Sequence, residues 1–137
     1  MKTYFDSSAF AKRFIEESGS DKVEASCCKA SALGLSVICV PEIISALNRR
    51  RRERSLSQSQ YIEAKRCLLE DVRDAEIINL TISVIGSSIM VLETSPGRAM
   101  DALHIACALE WGAELFVSSD KRQLIAARAA GLKTHQA

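Results

Sequence analysis

The chain has 137 residues, of which 47% are hydrophobic and 26% charged, and its 18 Lys and Arg against 17 Asp and Glu leave a formal net charge of +1. That is enough apolar material for one core, so a single domain over residues 1–137 is expected. The near balance of charge excludes a globally polycationic protein, and any nucleic-acid surface must be a local patch.

Lys2 to Phe5 is a short β-prone segment ending at Asp6, and Ser7 to Glu17 carries a helical stripe of apolar residues. Asp21 with Glu24 resembles a capping box opening a helix toward Leu33, which Gly34 ends. Leu35 to Val40 is continuous and rich in β-branched residues, as in a strand buried on both faces of a parallel sheet. Pro41 suits the first turn of the next helix, which runs into the arginines between Arg49 and Arg54. Ser57 and Gln60 offer a capping box for a helix through about Arg73, and Glu76 to Leu80 reads as a strand. Thr81 to Leu92 is read as helix from the spacing of Ile82, Ile85, Ile89 and Leu92, with strand as the alternative. A helix from Arg98 or Asp101 closes at Gly112, Leu115 to Val117 is a strand, and a last helix from Asp120 to Gly131 precedes a short strand at Leu132 to Thr134. The alternation specifies an α/β fold in three layers, with a mostly parallel central sheet of four to five strands flanked by helices.

The apolar runs Ala32 to Val40 and Leu80 to Leu92 are too short and too broken by Gly or Ser to span a bilayer. No basic stretch, apolar stretch and small-residue cleavage site open the sequence, which argues against secretion. The five cysteines, at 27, 28, 39, 67 and 107, contain no C-x-x-C pair and leave one thiol over. They read as reduced, mostly buried small hydrophobes, and a cytoplasmic location is expected.

In open α/β sheets the functional crevice lies beyond the carboxyl ends of the strands, where Asp6, Glu42 and Asp120 fall, and Asp101 opens a helix that can reach the same edge. Alone, each is most simply a helix cap or a solvated carboxylate. Together, four confined carboxylates repel one another unless a cation neutralises them, and all-oxygen donors favour Mg2+ or Mn2+. Such an ion polarises a phosphodiester and lowers the pKa of an attacking water, so the expected chemistry is phosphodiester hydrolysis. Helix N-termini near Ser7, Glu42, Asp101 and Lys121 add partial positive charge.

The segments Asp6-Ser7-Ser8-Ala9-Phe10 with Lys12 and Arg13, Pro41-Glu42-Ile43-Ile44-Ser45-Ala46-Leu47, Arg98-Ala99-Met100-Asp101-Ala102-Leu103-His104-Ile105-Ala106 and Ser118-Ser119-Asp120 follow one another along the chain. In that order they resemble the motifs of PIN-domain ribonucleases, and among these the VapC-type toxins of toxin-antitoxin modules; the Asp-Ala-Leu-His-Ile-Ala string is the most specific. The resemblance implies a magnesium-dependent endoribonuclease of PIN-like fold whose acidic quartet is Asp6, Glu42, Asp101 and Asp120, with Asp6 and Asp101 as direct ligands. Ser118 matches a small hydroxyl residue of secondary role, and Ser7 is grouped with it. A homodimer, an RNA substrate and a small VapB-like antitoxin in the active-site groove are implied by the same likeness.

Around this pocket Arg98, Lys12 and Arg13 can steer phosphate, and Arg49 and Arg50 can contact RNA or an antitoxin, each with a surface role as the alternative. His104, one turn from Asp101, reads as a packed, hydrogen-bonded helix residue before a catalytic one. Trp111 and Tyr61 read as core or dimer contacts. The competing reading is a catalytically silent module that holds RNA or a protein. An Asp-x-Asp phosphatase is disfavoured because Ser8 stands where its second Asp belongs, a phospho-receiver lacks its acidic pair, and P-loop and dinucleotide fingerprints are absent.

Overall fold

In a computed structural model describing Met1–Ala137, five short strands form the centre: β1 (Lys2–Phe5), β2 (Ala32–Ser36), β3 (Glu76–Ile78), β4 (Leu115–Ser118) and β5 (Thr134–Gln136). They pair in the order β3-β2-β1-β4-β5, and every pairing is parallel. Seven helices connect them: α1 (Ser7–Phe10, continued by a 3-10 turn at Ala11–Arg13), α2 (Ser20–Lys29), α3 (Cys39–Arg52), α4 (Gln58–Arg73), α5 (Ile82–Thr94), α6 (Ala99–Trp111) and α7 (Lys121–Ala129).

Strand periodicity divides the interior between the two faces of the sheet. Tyr4 and Phe116 point to one face and pack with Val84 and Val91 of α5, Ile105 of α6 and Leu124 of α7. Phe5, Leu35 and Val117 point to the other and pack with Phe10, Val23, Ile43, Leu47 and Leu68 of α1 to α4. The result is the three-layer α/β arrangement that the strand and helix alternation implies. No helix is long and apolar enough to cross a membrane.

Several boundaries differ from the sequence reading. The second strand is Ala32–Ser36, not Leu35 to Val40, and α3 begins at Cys39. Gly34 therefore lies within the strand, where it makes room for a neighbour: a Cβ there would stand 2.6 Å from Cζ3 of Trp111. Cys39 is buried against the second core from the first turn of α3, so an apolar run that resembles a strand is in equal parts strand end, turn and helix start. Pro41 lies in that first turn, where a missing N–H breaks no helical bond.

The helix expected over Ser7 to Glu17 is shorter, because it tightens to the 3-10 turn at Ala11–Arg13, closed by Phe14, and Ser18 to Gly19 turn the chain back. No side chain caps α2: its cap is Gly19 at φ 95°, and the Ser20 hydroxyl bonds the Lys12 carbonyl, so the Asp21 and Glu24 box does not form. The Ser57 and Gln60 box does form. Thr81 to Leu92 is helical, capped by Thr81, and the last strand lies two residues later than expected. Among the cysteines only Cys39 and Cys107 are buried, and Cys28 is exposed on α2.

Candidate active site

The pocket forms where β1, β4 and three helix starts meet. The Asp6 N–H donates to the Val117 carbonyl at 3.1 Å, which continues the β1–β4 ladder one residue beyond the strand. Its carboxylate then caps α1: Oδ1 accepts from the Ala9 N–H at 3.0 Å and the Ser8 hydroxyl at 2.7 Å. Oδ2 accepts from the Ser118 hydroxyl at 2.6 Å, so Asp6, only 4% exposed, has both oxygens bonded. Burial pushes the Asp6 pKa up, and His104, Ser118, Ser8 and the Ala9 N–H offset part of that.

Ser118 joins two acids, because its hydroxyl also accepts the Asp120 N–H at 3.0 Å. Asp120 in turn caps α7 through the Arg122 N–H at 2.9 Å. Glu42 sits in the first turn of α3, and its Oε1 accepts from the Ser7 hydroxyl at 2.7 Å and from His104 Nε2 at 2.6 Å. Partial burial would raise its pKa, but the hydrogen bonds from His104 and Ser7 prevail and hold it below the usual carboxylate value. Asp101 lies in the first turn of α6, and its carbonyl accepts from the Gln123 amide at 2.8 Å, which ties α6 to α7.

Glu42, Asp101 and Asp120 line one cavity of about 840 Å³, together with Arg98 and Arg122 and an apolar wall that includes Leu92, Met100 and Ile125. Asp6 does not line it; it is set back and reaches the cavity acid Asp120 through Ser118. The starts of α3, α6 and α7 bring partial positive charge to this edge, which favours an anion beside the carboxylates.

The donor set is all oxygen, as Mg2+ and Mn2+ prefer, and three carboxylates on one cavity wall fit an ion that keeps several waters. The side chains do not already close on a point: no three His, Cys, Asp or Glu stand in the arrangement of an assembled metal cage. The fit is therefore to a loosely held hydrated ion, bound by a few carboxylates.

The basic residues separate. Arg98 lines the cavity, at the N-cap of α6. Lys12 bonds the carbonyls of Ser18 and Ala137, Arg13 pairs with Glu24 and Asp71, and Arg50 pairs with Glu17. Arg49 is exposed in the last turn of α3. Trp111 packs on Gly34, under the Lys2 ammonium at 4.5 Å, and Tyr61 lies against the Arg51 guanidinium.

Four participants escaped sequence reasoning: Tyr4, Ser8, Gln123 and Arg122. Ser8 had a local signal, since a hydroxyl two residues after a capping Asp can reach its carboxylate. Tyr4 had a parity signal, two residues before Asp6 on the same strand face. Gln123 and Arg122 had none, because their place at the cavity is set by how α7 docks.

The chain is 30% identical over 132 residues to the ribonucleases VapC45 and VapC49 of Mycobacterium tuberculosis, covering 95% of this chain and 92% of each of theirs. Its fold matches Mycobacterium tuberculosis VapC20, a sarcin-ricin loop cleaving toxin, with a TM-score of 0.73 at 14% identity over 99% of this chain and 100% of that one. It also matches a DNA-bound VapBC from Salmonella typhimurium with a TM-score of 0.72 at 13% identity, over 99% of this chain and 98% of that one. The PIN domain family model matches residues 3–130, nearly the whole of this fold, and the chain belongs to the PIN-domain family.

Proposed function

We propose that this protein is a divalent-metal-dependent endoribonuclease acting as the toxin of a VapBC-like toxin-antitoxin pair. The observation that carries the reading is one cavity lined by Glu42, Asp101 and Asp120, with Asp6 bonded to its edge through Ser118. The two curated relatives named as ribonucleases support it. Glu42, Asp101 and Asp120, with Asp6 behind them, would hold Mg2+ or Mn2+. When bound, that ion supplies Lewis acidity toward a phosphodiester and acidifies an attacking water. The chain's own residues do the rest: Arg98 and Arg122 offset phosphate charge at the cavity rim, and the helix starts orient N–H dipoles toward it. The hydroxyls of Ser7, Ser8 and Ser118 fix the carboxylates so that their oxygens need not reorganise during hydrolysis.

Under the same proposal the protein works in the cytoplasm as a homodimer and is silenced by a small antitoxin seated in this cavity; structural neighbours described as VapBC or toxin-antitoxin complexes support that partner. One observation favours a silent binding module instead, namely that both carboxylate oxygens of Asp6 are already bonded within the protein. The readings separate on incubation of total RNA with Mg2+ or Mn2+. Wild type cleaves, while Asp6→Asn and Asp101→Asn lose cleavage and Mn2+ binding by calorimetry. Wild-type activity in both variants would refute the site.

A further inference from the structure

His104 is 3% exposed, and both its ring nitrogens are bonded at short range. Nδ1 lies 2.6 Å from the Tyr4 hydroxyl and Nε2 lies 2.6 Å from Glu42 Oε1, with the Ser7 hydroxyl 3.2 Å from Nε2. The ionised carboxylate of Glu42 can only accept, so Nε2 carries a proton. In the neutral ring Nδ1 is then the acceptor, and the Tyr4 O–H donates to it. Burial keeps the Tyr4 hydroxyl protonated, with its pKa well above the ordinary phenol value, and therefore available as that donor. Tyr4 cannot easily turn away: it is fully buried on β1 and stacked on Phe116, with ring centroids 5.5 Å apart and planes 10° apart.

Three elements are thereby linked, from the sheet core through α6 to the first turn of α3. The bonds from His104 and Ser7 both fall on Oε1 of Glu42, and no protein group bonds Oε2. An arrangement that occupies one oxygen of a cavity-lining carboxylate and leaves the other free does more than satisfy a core histidine.

We propose that His104, held as the Nε2–H tautomer by the Tyr4 hydroxyl, is a positioning residue that anchors Oε1 of Glu42 and presents Oε2 to the cavity for ion and RNA. The proposal rests on the ribonuclease reading and adds to it a residue outside the acidic quartet. Its logic is that of a histidine whose orientation and tautomer are set by the partner of its second nitrogen.

Two measurements on the whole protein test it. Nitrogen-proton correlation spectra of the histidine side chains report the His104 tautomer directly, with His104→Gln used to assign the signal. The Nε2–H form is expected in wild type and a mixture of tautomers in Tyr4→Phe. Calorimetric titration with Mn2+ should show affinity falling about tenfold in Tyr4→Phe and in His104→Ala. His104→Gln, whose amide can donate from nearly the place of Nε2, should recover most of that loss, which a merely structural role does not require. An Nδ1–H tautomer in wild type overturns the proposal, and this readout needs no variant to fold. Unchanged Mn2+ affinity in folded Tyr4→Phe and His104→Ala also overturns it, and if Glu42→Gln still weakens binding, the ribonuclease reading stands. If Glu42→Gln alters neither Mn2+ affinity nor RNA cleavage, the functional reading fails and takes the proposal with it.

Discussion

Replacing Ser118 with alanine removes one hydroxyl that serves two acids, and the structure sets the size and pH dependence of the penalty. The hydroxyl is fully buried, donates to Asp6 Oδ2 at 2.6 Å and accepts the Asp120 N–H at 3.0 Å. A hydrogen bond to a buried charged group is worth about 1.5–3 kcal/mol, whereas one between neutral groups is worth about 0.5–1.5 kcal/mol. Asp120 is less buried, so water can replace its lost acceptor, and the larger effect falls on Asp6. The folded Asp6 pKa is raised above its unfolded value of roughly 3.9. The native state therefore holds the proton more tightly, and stability falls as pH climbs from the unfolded value through the folded one. Loss of the Ser118 bond raises the folded pKa further and widens that fall. Ser118→Ala should thus lose about 2–3 kcal/mol at pH 7.5 and about 1 kcal/mol at pH 4, measured by urea unfolding with chelator present to exclude a cation at the carboxylates. In an Asp6→Asn background the loss should stay near the smaller value at both pH values. Equal losses at pH 4 and 7.5 in the otherwise wild-type chain would falsify the assignment of this bond to an ionised Asp6.

Gly34→Ala places a methyl 2.6 to 2.8 Å from three atoms of the Trp111 ring and should destabilise by about 1–2 kcal/mol after the backbone gain of alanine; urea unfolding of Gly34→Ala with and without Trp111→Leu measures the coupling, and additivity would refute the clash. Thiol labelling at pH 8 should find Cys28 fast, while Cys39, pushed by burial to about 12, is roughly 0.01% thiolate and stays unreacted, with buried Cys107, until urea unfolds the chain. Rapid native labelling of Cys39, located by peptide mapping, would show that the start of α3 opens.

What could be read in advance was whatever local chemistry dictates. Asp6 and Asp120 follow apolar strand segments and precede helices, and Thr81 to Leu92 showed its helical spacing despite β-branched residues. The stretch from Ala32 to Val40 misled because both a buried strand and the inward side of a helix start are apolar, and only the docking of Trp111 explains a glycine in mid-strand. The cavity itself was partly legible: three acids come to its wall, but nothing local shows that Asp6 withdraws behind Ser118. Likewise Lys12 and Arg13, near Asp6 in sequence, are drawn off by the carbonyl of Ala137 and by Glu24 and Asp71, partners that only tertiary packing supplies.

The central place of β1 bears on how the molecule comes into being. One flank of it is β4, whose Leu115 to Val117 pair with Thr3 to Phe5, and the hydroxyl that braces Asp6 stands 112 positions further along the chain. Pairings so remote in sequence form late, after β4 itself has emerged. A translation product halted before β4 would hold Asp6 in an incomplete sheet, so the pocket cannot be assembled until β4 and Ser118 have been made.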